Sequence, residues 1–124
     1  MKKVLLMLLL CVSAHAYAAA EDTDGWGYIK ERTEVLDKKK GMIVLRMGKY
    51  YRDEDAFVHL IMAVACNQRQ AVALGGTIQR NGMPDEQLSP MYEFKDIDVN
   101  SPLDTYAQIE CKRFGFKYKI KGNV

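Results

Sequence analysis

The sequence has little of what catalysis is usually built from. Its 124 residues include two histidines and three cysteines, with no nucleophile elbow, zinc-binding histidine pair or Cys-x-x-Cys. Gly75-Gly76 follows an apolar stretch but precedes no Lys-Ser/Thr, so it predicts a turn rather than a phosphate cradle. Asp22-Thr23-Asp24-Gly25 and Asp96-Ile97-Asp98 offer carboxylates two apart, without the further acids and closing glutamate of a calcium loop. His59 stands in an apolar run and reads as a partly exposed core side chain. There are no internal repeats and no low-complexity segments. These gaps leave nucleophilic and metal catalysis almost nothing to work with. We expect no enzyme, no cofactor and no metal.

Long apolar runs are scarce too. The one that stands out, Val4 to Val12, is nine residues, about half of the ~20 that a bilayer span needs. Lys2 and Lys3 precede it, and Ala-x-Ala sites follow at 14–16, 16–18 and 18–20. This is the layout of a secretory signal, which we expect to be cleaved between Ala16 and Ala20. Leu10 stands before Cys11 where a lipid-attachment site wants a small residue, so that cysteine is expected to leave with the leader. The predicted division is a signal peptide over 1–20 and a single exported domain over 21–124.

Charge of one sign is also missing. Without Lys2 and Lys3, 16 basic residues face 16 acidic ones. A neutral domain offers no electrostatic case for nucleic acid or an anionic membrane. Its size suits one modest core. Two cysteines remain, Cys66 and Cys111; the even count and the oxidising compartment point to one disulfide. The alternatives are a reactive free thiol and a metal pair, the latter short of ligands. Closing a loop of about 46 residues would stabilise the domain by roughly 4 kcal/mol.

What is present predicts an α+β domain, mainly antiparallel. "WGYIKERT" (26–33) reads as a first strand, "DKKKG" (37–41) as a turn, "MIVLRMGKYY" (42–51) as a strand and "RDED" (52–55) as a charged break. Residues 56–76 admit two readings. As a helix they have Asp53 as cap and Gly75-Gly76 as stop, with Cys66 pointing away from the apolar face. As two strands around a turn at Asn67-Gln68, they put Val58, Leu60, Met62, Val64 and Cys66 on one face, then run through Val72, Leu74 and Ile78. "RNGMPDEQ" (80–87) predicts a loop and "MYEFKDIDV" (91–99) a strand.

Ser101, Pro102 and Asp104 open a helix near 102–113. Leu103, Tyr106, Ala107, Cys111 and Phe114 form its buried stripe, and Gly115 ends it. Beyond it, Phe114, Phe116, Tyr118 and Ile120 alternate with Lys117, Lys119 and Lys121, which predicts a strand with a lysine face. That face either guards a sheet edge against pairing or grips a partner. The candidate partner contacts are Trp26, Tyr50, Tyr51, Lys112, Arg113, Lys117, Tyr118, Lys119 and Lys121.

The frame "VACNQRQAVALGG", then "NGMP", then "FKDIDVNSPLDTYAQIEC" resembles the surface-adhesin protein E family of Gram-negative bacteria. Cys66, Arg69, Gly82, Ile97, Ser101 and Cys111 occupy the family's places, over about residues 58–111. The resemblance implies an antiparallel sheet with a helix tied to it by the disulfide, and a non-catalytic role at the cell envelope, in some members attachment to host matrix or epithelial surfaces. Two departures are the lack of a lipid-attachment cysteine at the leader's end and the basic stretch after Cys111. The expected function is an exported binding protein, periplasmic or at the cell surface, with a protein partner. The alternative is a periplasmic inhibitor or immunity protein that neutralises a toxin or lytic enzyme.

Overall fold

The computed structural model describes residues 25–119. The expected leader, Cys11 and Lys121 lie outside the described residues. Within them, seven strands form one antiparallel sheet with a single α-helix packed on one face. No described helix is long and apolar enough to cross a membrane.

Three long strands make the body of the sheet: β3 (Met42–Tyr51), β4 (Ala56–Ala65) and β5 (Gln70–Arg80). They follow one another as a meander, β3 paired with β4 from Met42↔Ala65 to Tyr51↔Ala56, and β4 with β5 from Ala56↔Arg80 to Ala65↔Gln70. Short strands line both flanks. β1 (Trp26–Tyr28) and β2 (Glu34–Asp37) lie one after the other along β3, separated by a 3-10 turn at Lys30–Arg32. β6 (Glu86–Leu88) and β7 (Lys95–Asp96) do the same along β5.

The two-strand reading of 56–76 is therefore the one the protein adopts, with the turn at 66–69. Alternation explains why. Ile43, Leu45 and Met47 of β3 and Val64 of β4 turn to one face with Cys66, and Leu60 and Met62 pack beside them. A helix over the same residues would have left Cys66 in solvent.

Several expected boundaries are corrected. The first strand stops at Tyr28 and gives way to the 3-10 turn, since residues 30–32 pack no apolar side chain. Gly75-Gly76 is no turn but lies inside β5, beside a bulge: Ile61 faces Gly75 while Met62 faces Ala73, leaving Leu74 unmatched. The extra residue flips the pleat, so Val72 and Ile78 face opposite sides and Leu74 is exposed. Gly76 is needed there because a Cβ would run into the His59 carbonyl oxygen. The expected 80–87 loop ends early at β6, and the 91–99 strand shrinks to the two residues of β7.

Helix α1 (Pro102–Arg113) begins and ends as its sequence signals require. The Ser101 hydroxyl accepts the Asp104 N–H at 3.1 Å, and Pro102 holds the first helical position. At the other end Gly115 adopts φ 82°, while Gly115 N–H donates to Lys112 O and Phe116 N–H to Cys111 O. These two bonds satisfy carbonyls the helix leaves open. Tyr106, Ala107 and Cys111 are fully buried, with Leu103 and Phe114 packed at the margins.

A disulfide joins Cys66, at the end of β4, to Cys111 on α1, with Cα atoms 5.9 Å apart. Replacing both cysteines with alanine should lower unfolding free energy by about 4 kcal/mol in urea titrations. A loss under about 1 kcal/mol would mean that the cross-link barely restrains the unfolded chain.

Candidate functional site

Two groups of charges are buried under the helix, and each contains an ion pair, although the Arg69 Nε itself meets no hydrogen-bond acceptor among the described residues. Arg69, in the β4–β5 turn with φ 54°, pairs with Asp104 at 2.8 Å, the two side chains 7% and 8% exposed. Asp104 also accepts the Asn100 N–H at 2.8 Å and the Tyr118 hydroxyl at 2.6 Å. The Arg69 guanidinium lies over the Tyr118 ring. At the other end of α1, Glu110 is wholly buried and takes three hydrogen bonds from Arg113, the shortest 2.7 Å, plus one from the Tyr28 hydroxyl at 3.3 Å. Burial works to raise the Glu110 carboxyl, but the hydrogen bonds and charge of Arg113 outweigh it and hold the group below its ordinary value. Burial, then the Glu110 charge, pushes the Tyr28 hydroxyl up to about 12, so it remains a donor. These groups tie the β4–β5 turn, the helix and the strap together.

The residues expected to meet a partner do not gather in one patch. Trp26 is half-buried against the core beside Lys49. Tyr50 is exposed and donates to Asp55, and Tyr51 lies under the Lys49 ammonium. On the helix Lys112 is exposed, while Arg113 reaches the Lys30 carbonyl, just past β1, as well as Glu110. Residues 114–119 are not a strand. They form a strap that returns past the disulfide, held by one backbone bond from Lys119 N–H to Cys66 O. Phe114, Phe116 and Tyr118 pack inward while Lys117 and Lys119 face out. The alternation is real, but it comes from packing on one side and no ladder accompanies it. The strand β3 that separates Cys66 from Tyr50 and Tyr51 is ten residues long, roughly 30 Å.

A different cluster lies on the face of the sheet that α1 leaves uncovered. Arg46, His59 and Thr77 come from three adjacent strands, with Gly48, His59 and Thr77 in one row of the ladder. Gly27 pairs with Gly48 in the same row. Beside this row lies a hollow of roughly 200 Å³, walled by Ile29, Arg32, Arg46, Phe57, His59, Thr77 and Gln79. The 3-10 turn brings in Arg32, and the bond from Ile29 N–H to Arg46 O fixes that turn on the sheet. Burial lowers the His59 imidazole below its ordinary range, and the charges of Arg46 and Arg32 press the same way. His59 is thus the half-buried histidine the sequence suggests, but it lines a concavity. Arg32, Arg46, Thr77 and Gln79 were not singled out by sequence patterns; the signal available is Arg46 and Gly48 interrupting an apolar strand. Among the described residues no three His, Cys, Asp or Glu side chains gather as metal ligands.

No family model matches the chain, and no curated protein matches it either.

Two outcomes follow for the buried charges. Asp104→Ala should cost roughly 3–5 kcal/mol, because it strands a buried guanidinium, whereas Asp104→Leu with Arg69→Met should cost much less. A double-mutant cycle in urea reads the difference, and additive losses would refute the coupling. For Glu110, the folded-state value lies below the unfolded one. Its stabilisation is therefore complete above about pH 4.3 and is lost as pH falls through the folded value. Glu110→Gln should flatten the acid limb of the melting profile; a limb unchanged in the variant would show that other carboxylates carry it.

Proposed function

We propose that this chain is an exported, non-catalytic binding protein of a Gram-negative envelope, whose open sheet face contacts a host matrix or epithelial protein. The single observation that carries this reading is the contrast between the two faces. Under α1 the charged groups are paired. On the far side Arg32, Arg46, His59, Thr77 and Gln79 line one hollow, and their side chains hydrogen-bond to no described residue. Polar groups held unpaired on rigid strands are placed for an external partner at little ordering cost. The leader-like start of the sequence and the resemblance over 58–111 supply the compartment and the class of partner.

Binding of the purified protein to immobilised matrix and epithelial extracts tests the reading. Thr77→Glu, which puts a carboxylate into the hollow, should weaken binding at least tenfold with melting unchanged. Lys117→Ser with Lys119→Ser, on the strap, should leave it within twofold. Loss through the strap lysines with Thr77→Glu neutral would move the contact surface to the strap. Inhibition of a toxin or lytic enzyme without matrix binding would favour the periplasmic inhibitor.

A further inference from the structure

The hollow on the open face concentrates positive charge without a counter-charge among the described residues. Three other arginines of the fold are engaged: Arg69 with Asp104, Arg80 with Glu86 and Arg113 with Glu110. Arg32 and Arg46 make no ion pair and no side-chain hydrogen bond with any described residue, and no acid lines the hollow. By strand pairing, Glu34 lies opposite Val44, one step along the same face from Arg46, and it bonds to neither arginine. Two guanidinium groups facing one concavity repel each other, and a negative group between them would convert that repulsion into attraction.

We propose that this hollow is an oxyanion-binding site, taking one carboxylate or phosphate group between Arg32 and Arg46. The guanidinium fork matches the paired oxygens of either group, and two forks can grip it from two sides. The Thr77 hydroxyl and the Gln79 amide are further donors on the β5 side. Ile29 and Phe57 provide apolar walls for the carbon stem that carries the group. The assignment rests on reading the open face as the contact surface and names what that surface recognises.

His59 makes the site self-reporting. The charged groups that face it are Arg46 from β3 and Arg32 from the 3-10 turn; β5 contributes the neutral Thr77 and Gln79. A bound anion favours the imidazolium, so it raises the His59 pKa. By linkage, the anion binds more tightly as pH falls through that value.

The experiment is an NMR titration of the full exported protein, following the His59 imidazole, identified with His59→Gln, and the arginine side-chain N–H signals. The probes are inorganic phosphate, acetate and a blocked glutamate peptide, each at ionic strength held constant with chloride. Saturable shifts at His59 and Arg46, tighter at pH 5.5 than at pH 8, are the expected result. Arg46→Gln and Arg32→Gln should each weaken binding at least tenfold with melting unchanged, and Arg52→Gln, in the exposed turn after β3, should not. Preference for phosphate would make the natural group a phosphoryl; preference for the peptide would make it a protein carboxylate. Shifts matched by chloride alone, or binding indifferent to Arg46→Gln, would overturn the site. Because the probes are small anions, such a failure removes this assignment only, whereas failure to bind any extract removes only the function proposed above.

Discussion

The bond between Cys66 and Cys111 decides which part of the sheet is covered. The helix has twelve residues, about 18 Å of length, while the strands beneath it run to roughly 30 Å. So short a helix can shelter only one end of one face. The disulfide sets it over the β4–β5 turn, and two further fastenings act at the same end. The Arg69–Asp104–Tyr118 group ties turn, helix start and strap through side chains, and Lys119 N–H reaches the Cys66 carbonyl. Every element that meets there is held by at least two kinds of interaction. That redundancy lets a small domain keep a fixed core with little area to bury.

The electrostatics differ between the faces for a reason rooted in water. A buried charge without a partner is expensive, so Arg69 and Glu110 each have one. On the uncovered face solvent reaches the arginines, and the fold tolerates them without carboxylates. The desolvation penalty that forces pairing under the helix leaves the hollow free to pair with something else. His59 registers the same field from the inside, its imidazole disfavoured as a cation by burial and by both arginines.

Much of this was legible in the sequence where the signal is local. Ser101, Pro102 and Gly115 fixed both ends of the helix because capping is chemistry between near neighbours. β3 was readable from its β-branched and aromatic content, and Cys66 chose strands over helix for the ambiguous stretch. Long-range or one-sided effects were hidden. Arg69 and Asp104 are 35 positions apart in sequence, and neither the resemblance that places Arg69 nor the helix start that uses Asp104 pairs the two. The strap passed for a strand because inward packing produces period two with or without a ladder. The bulge at Leu74 was invisible because two glycines read as a stop. The hollow needed register: Gly27, Gly48, His59 and Thr77 say nothing until pairing sets them in a row. The lysines of the strap were expected to shield a sheet edge or hold a partner, and the strap makes no ladder that needs shielding.

The flanks of the meander show where that shielding comes from. Each outer strand is dressed by two fragments, β1 and β2 on one flank and β6 and β7 on the other, none longer than four residues. A second copy approaching edge-on meets interrupted segments and changes of direction, with no long template to extend. Runaway polymerisation through strand addition is therefore discouraged by geometry, whatever charge the rim carries. A chain built this way can approach another copy closely without its strand edges offering a continuous seam.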